Sequence, residues 1–139
     1  MNWLFWSLLS ALFAAATAIL AKIGIQGIDS NLATAIRTTV ILLFTWVIAF
    51  ATRRPGAFAA ISTHSWIFLV LSGLATGFSW LCYFRALQLG SASKVAPVDK
   101  LSVALVIVFA ALFLGESLTV PKAIGGLLIT AGAITLALG

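Results

Sequence analysis

Acidic side chains are nearly missing from this chain. Asp and Glu together number three, against eight Lys and Arg, in 139 residues. The three stand far apart at Asp29, Asp99 and Glu116, so no two carboxylates are spaced for general acid–base work. The one histidine, His64, is expected in a loop, and no serine has a histidine partner in a span. The one cysteine, Cys82, sits inside an apolar run, which excludes an intrachain disulfide. A His/Cys metal site has no ligand set, and neither HExxH nor GxxxxGK[ST] occurs. No enzyme, cofactor or metal is therefore expected. With nothing to bind and hydrolyse ATP, any transport would be secondary or passive.

What the chain has in excess is apolar side chain. Hydrophobic residues make up 63% and charged residues 8%. A soluble domain runs at about 45–50% apolar and about 25% charged. A core of this size cannot hide such an excess from water, so lipid is its natural solvent. The net charge of +5 does not point to nucleic acid, because the basic residues are scattered between apolar runs and form no patch. Anionic lipid head groups suit them better. No basic stretch precedes the first apolar run, so that run reads as a retained span and not a cleaved leader.

A span takes roughly 20 apolar residues. Five runs qualify, at about 3–22, 31–52, 66–88, 93–114 and 120–138. Extended backbone cannot lie in lipid, so the expected fold is all-α: a polytopic transmembrane helix bundle forming one domain over 1–139. Turn chemistry marks the breaks. Gly24, Gly27, Asp29 and Ser30 form the first, and Pro55 and Gly56 follow Arg53 and Arg54 in the second. Gly90, Ser91 and Ser93 form the third, and Gly115 with Pro121 the last. Pro97 either occupies the first turn of the fourth helix or, if that helix begins earlier, kinks it. Short loops make successive helices antiparallel. An odd number of spans puts the termini on opposite sides: side A holds the N-terminus, side B the C-terminus.

Polar and small residues fall on one stripe of four helices. They are Ser7, Ser10, Ala14, Thr17 and Ala21; Thr34, Arg37, Thr38 and Thr45; Ser72, Thr76, Ser79 and Tyr83; and Asp99 with Ser102. Such stripes are expected to face into the bundle, either as close helix packing or as the lining of a polar cavity. Gly73 and Gly77 form a GxxxG that favours tight packing on the third helix. Gly125, Gly126, Ala131, Gly132 and Ala133 assign the fifth span to packing or dimerisation. Trp3, Trp6, Trp46 and Trp66 fall near side A as an interfacial belt. Trp80 departs from it, about 20 Å of helix rise beyond Trp66.

Arg37 and Asp99 are the sharpest pair, each about 9 Å of rise inside its span from side B. An intramembrane charge costs about 2.5–3.5 kcal/mol at a helix centre, so pairing the two would help. Alternatively Arg37 snorkels to head groups and Asp99 caps its helix. Lys100 is expected to snorkel, and Lys22 and Lys94 to anchor loops. Trp80 and Tyr83 share a face and need partners for their polar tips, in the core or in a cavity. Arg85, at the end of an aromatic stretch, admits either role. Arg37, Trp80, Tyr83, Arg85 and Asp99 are the candidates for a substrate path. The surplus of buried positive charge favours an anionic or zwitterionic cargo.

The segment from Tyr83 to Thr119 reads YFRALQLGSASKVAPVDKLSVALVIVFAALFLGESLT, with a glycine-rich span after it. In this order, including Leu114, Gly115 and Glu116 at the end of the fourth span, the chain resembles the EamA domain of the drug/metabolite transporter superfamily. The resemblance runs through essentially the whole chain. It implies secondary transport, often export, of a small metabolite or drug-like solute. Many relatives fuse two such domains as an inverted repeat of ten helices. This chain corresponds to one half, which implies a homodimer. Smaller four-helix relatives use a glutamate in their first helix for protons and cations. The first span here has no acid, so exchange of that kind is not expected.

Orientation stays open. Side A carries Arg53, Arg54 and Lys122; side B carries Lys22, Arg85 and Lys94, with Arg37 and Lys100 deeper. The balance allows either an N-terminus fixed in the cytoplasm by Arg53 and Arg54 or insertion both ways as an antiparallel dimer. The leading expectation is an alternating-access transporter, multi-pass in the inner (plasma) membrane of a prokaryote. Its partners would be the bilayer and a small solute. A non-transporting subunit of a larger complex and a lipid-intermediate flippase are the alternatives.

Overall fold

A computed structural model describes residues 2–52 and 60–139. The Arg53 and Arg54 pair and the Pro55–Gly56 turn lie outside the described residues. Six helical segments follow in order: α1 (Trp3–Gly24), α2 (Ser30–Thr52), α3 (Thr63–Leu89), α4 (Ala92–Asp99), α5 (Leu101–Phe113) and α6 (Val120–Leu138). The described residues contain no strand. Five spans are long and apolar enough to cross a membrane, α4 and α5 together making the fourth over Ala92–Phe113. The fold is therefore an all-α, multi-pass membrane fold.

Local chemistry sets the helix starts. The Asp29 carboxylate accepts the backbone N–H groups of Asn31 at 2.9 Å and Leu32 at 3.0 Å. It thereby caps α2, whose first turn has no intrahelical acceptors of its own. Ser62 Oγ accepts the Ser65 N–H at 3.1 Å, and α3 begins earlier than its apolar run. His64 consequently lies in the first turn of α3, with its ring 4.6 Å from that of Phe68, and not in a loop.

The fourth span begins at Ala92, which places Pro97 inside α4. Proline has no N–H to return to the carbonyl four residues back. The ladder tightens just beyond it: Lys100 N–H bonds Pro97 O at 3.0 Å, and Val103 N–H bonds Lys100 O at 2.9 Å. Both are i→i−3 bonds, and they separate α4 from α5.

Two compact units share the chain: Gly24–Gln88, and Met1–Ile23 with Leu89–Gly139. In the second, α6 packs against α4 and α5. Gly126 and Ala133 are its buried residues. A Cβ on Gly126 would stand 3.2 Å from Ile107 Cδ1, so the absent side chain is what lets α6 come this close. Lys22 Nζ donates to the Gly90 carbonyl at 2.7 Å. It ties the last turn of α1 to the turn before α4, a more specific task than loop anchoring. In the first unit Ile25, Ser30, Thr34, Phe84 and Leu87 are buried. The turn before α2, with Gly27 at φ +74°, is fastened to the end of α3 by Gln88 Nε2 donating to Ile28 O at 2.6 Å.

The polar stripes differ in burial from residue to residue. Ser7, Ser10, Ser72, Thr76 and Ser79 are exposed, whereas Thr34 is buried. The physical reason is that a helical hydroxyl finds an acceptor on its own helix. Ser7 Oγ donates to Trp3 O at 3.0 Å, Thr76 Oγ1 to Ser72 O at 2.9 Å and Thr34 Oγ1 to Ser30 O at 2.8 Å. The GxxxG on α3 does not pack tightly, since a Cβ at Gly73 or Gly77 would meet nothing within 4 Å. Most large apolar side chains of the spans are exposed among the described residues, which leaves these surfaces for lipid or a partner.

Candidate functional site

The richest cluster lies in the unit of α2 and α3. Arg37 is seven residues into α2, about 10 Å of rise from its start. Its Cζ lies 4.4 Å from the centroid of the Trp80 ring and 5.4 Å from that of Phe84. Trp80 is nine residues before the end of α3, about 13 Å of rise, and Phe84 about 7 Å. The guanidinium is therefore nearer the Trp80 ring than the Phe84 ring. Long helical side chains lean toward their helix N-terminus, which carries the Trp80 ring further inward still. Cation–π contact is worth about 0.5–1 kcal/mol in water and about 2 when desolvated.

The Arg37 guanidinium thus has aromatic rings of α3 against it. Among the described residues Arg37 donates no hydrogen bond and forms no ion pair. Tyr83, half-buried one turn from Trp80, sits edge-on to Phe84 with centroids 6.4 Å apart and interacts electrostatically with Arg37. Arg85 is exposed, and its Nη1 donates to Gln88 Oε1 at 3.0 Å. Gln88 donates in turn to Ile28 O, so Arg85 belongs to the fastening of the turn before α2. Of the five candidates, the structure gathers Arg37, Trp80 and Tyr83.

Asp99 belongs to the other unit. Its Oδ2 accepts from Lys100 Nζ at 3.2 Å. Every carboxylate of the chain thus has an internal partner: Asp29 has the α2 amides, Asp99 has Lys100, and Glu116 has Lys122 at 3.0 Å. Among the described residues three or more His, Cys, Asp or Glu nowhere come together to hold a metal ion.

The EamA-like transporter family matches residues 1–138. The chain belongs to that family. A Sinorhizobium sp. protein named "Uncharacterized transporter in cobO 3'region" is 53% identical over 136 residues, 98% of this chain and 96% of that protein. A Bacillus subtilis (strain 168) protein named "Uncharacterized transporter YxxF" is 33% identical over 135 residues. The match takes in 94% of this chain but 41% of that protein, so the chain spans less than half its length. No solved structure matches.

In this EamA-like chain the Leu114–Gly115–Glu116 segment ends a helix. Leu114 N–H and Glu116 N–H both donate to Ala110 O at 3.1 Å. Gly115 between them has φ +66°, where a Cβ costs roughly 1–2 kcal/mol. Glu116 then reaches Lys122 in the first turn of α6. Both side chains are about half exposed, and an ion pair of that kind contributes only about 0–1 kcal/mol. Gly115→Ala is expected to lower stability by about 1 kcal/mol, read as an earlier thermal unfolding midpoint in detergent, with transport per folded molecule unchanged.

Proposed function

We propose that the chain, acting as a single EamA-like domain over 1–139, is a secondary transporter that exports a small organic solute by alternating access. It works as an antiparallel homodimer in the cytoplasmic membrane of a prokaryote. One observation carries this reading: an arginine about 10 Å of helix rise inside a span, held against Trp80 and donating no hydrogen bond among the described residues. A chain with three acids does not place an unpaired guanidinium there for stability, because the charge costs energy in lipid. Intramembrane ionisable groups usually serve a path. Arg37, Trp80 and Tyr83 line it, Arg85 holds its mouth, and Asp99 with Lys100 lies on the fourth span.

The dimer rests on three supports. Gly73 and Gly77 present an open surface on α3. The Bacillus subtilis relative is more than twice as long as the segment that matches this chain. Transport sites generally lie between two repeats. Proteoliposomes loaded with candidate solutes test the function: wild-type protein releases one of them, and Arg37→Gln does not. Inert vesicles, with the chain copurifying with an unrelated integral protein, would instead favour a non-transporting subunit.

Orientation has its own expected outcome. Reporters active only in the cytoplasm and only outside it, each fused to the C-terminus, should both give signal, because Lys and Arg balance across the sides. Signal from one alone removes the antiparallel arrangement.

A further inference from the structure

We infer that the guanidinium of Arg37, held against Trp80, is a binding site for an oxyanion, the carboxylate or phosphate group of an organic anion. The inference names the substrate class of the path proposed above and in that respect rests on that reading. A guanidinium has five N–H donors in a planar fork that matches a carboxylate or phosphate oxygen pair. Trp80 and Phe84, with ring centroids 4.4 Å and 5.4 Å from Cζ, hold the guanidinium without a hydrogen bond to it. Its donors take no hydrogen-bond partner among the described residues.

Charge accounting within the chain leads to the same place. All three acids are engaged elsewhere, with the α2 amides, Lys100 and Lys122. The acid nearest Arg37 in sequence, Asp29, is the helix cap. Nothing in the described residues is left to neutralise Arg37, so an anion from outside does so. A cationic or neutral solute would leave the charge uncompensated in lipid. Arg37 rather than lysine suits this task, since its fork binds two oxygens at once and its face stacks on indole. The same oxyanion chemistry is offered by a soluble organic anion and by the phosphate of a lipid head group.

Two measurements decide. In neutral detergent, benzoate and inorganic phosphate should raise the unfolding midpoint of the wild-type protein, and benzylamine and benzamide should not. Arg37→Gln should weaken benzoate about tenfold or more, the worth of a charge-assisted hydrogen bond. Arg37→Lys should retain part of that binding. In a variant keeping only Trp80 (Trp3, Trp6, Trp46 and Trp66 to Phe), iodide should quench Trp80 more than neutral acrylamide does. Benzoate should relieve the iodide quenching, and Arg37→Gln should erase the preference.

Repeating the quenching in nanodiscs of phosphatidylcholine, with and without phosphatidylglycerol, separates the sources. Protection by phosphatidylglycerol that depends on Arg37 and resists benzoate assigns the site to a head group. Protection by benzoate in both lipids assigns it to a soluble anion. Equal iodide preference with and without Arg37, or a benzoate shift that survives Arg37→Gln, overturns the site. Binding that depends on Arg37 in vesicles that transport nothing removes the transport reading and leaves the site. Flux that ignores Arg37→Gln, with no anion binding, does the reverse.

Discussion

Arg37→Gln is expected to cut transport below a tenth of the wild-type rate while making the protein more stable. The two effects come from one side chain. As an intramembrane charge, Arg37 costs up to about 2.5–3.5 kcal/mol at a span centre and less toward the end. Its contact with Trp80 and Phe84 returns about 1–2 kcal/mol. Removing both should leave a gain of about 1 kcal/mol, or roughly 3–5 °C in unfolding midpoint for a protein of this size. Trp80→Leu moves stability the other way, because it removes the ring and keeps the charge. If Arg37→Gln lowers the midpoint as Trp80→Leu does, the stack is a structural element and the path loses its central residue. A residue kept at a cost to stability is what a functional site would contain.

This cluster was only half legible in the sequence. An arginine inside an apolar run stands out, and Trp80 stands out as a tryptophan away from the side A belt. Their contact does not, because a cation is first matched against acids and Asp99 lay at similar depth. The ring faces that hold Arg37 belong to a helix that enters the pattern as aromatic filling. Gln88 was missed altogether: its partner is the Ile28 carbonyl, and main-chain acceptors leave no mark on a side-chain pattern. The Gly90 carbonyl that holds Lys22 was invisible for the same reason.

The five spans were legible, since a bilayer demands unbroken apolar length and charges or glycine- and serine-bearing turns separate the runs. Helix faces were not. A row of Ser and Thr at helical spacing reads as an inward stripe, yet Thr76 and Ser7 bond carbonyls of their own helices. In lipid, small and polar rows therefore permit an interface without specifying one. The same reasoning separates the two glycine-bearing helices. Gly73 and Gly77 meet nothing, while Gly126 meets Ile107. Sequence alone treats them alike.

Gly126→Leu carries the second large effect, a loss of about 1–3 kcal/mol or more. Helix association in lipid has little hydrophobic drive and depends on close van der Waals contact. At Gly126 even a methyl would lie 3.2 Å from Ile107 Cδ1. That atom is the far end of a flexible chain, so Gly126→Ala should be nearly neutral. The small clash is offset by the roughly 1 kcal/mol that alanine gains over glycine in a helix. A leucine has no such outlet and must push α5 from α6. Shortening the opposing residue should then restore the fit. Ile107→Ala alone is destabilising, but with Gly126→Leu the pair should recover at least 1 kcal/mol, a coupling expected only of residues in direct contact. Thermal unfolding of the four proteins in detergent measures it. Strictly additive losses would mean that the glycine's neighbour is a second molecule and not α5, and would move the fifth span from internal packing to the dimer contact.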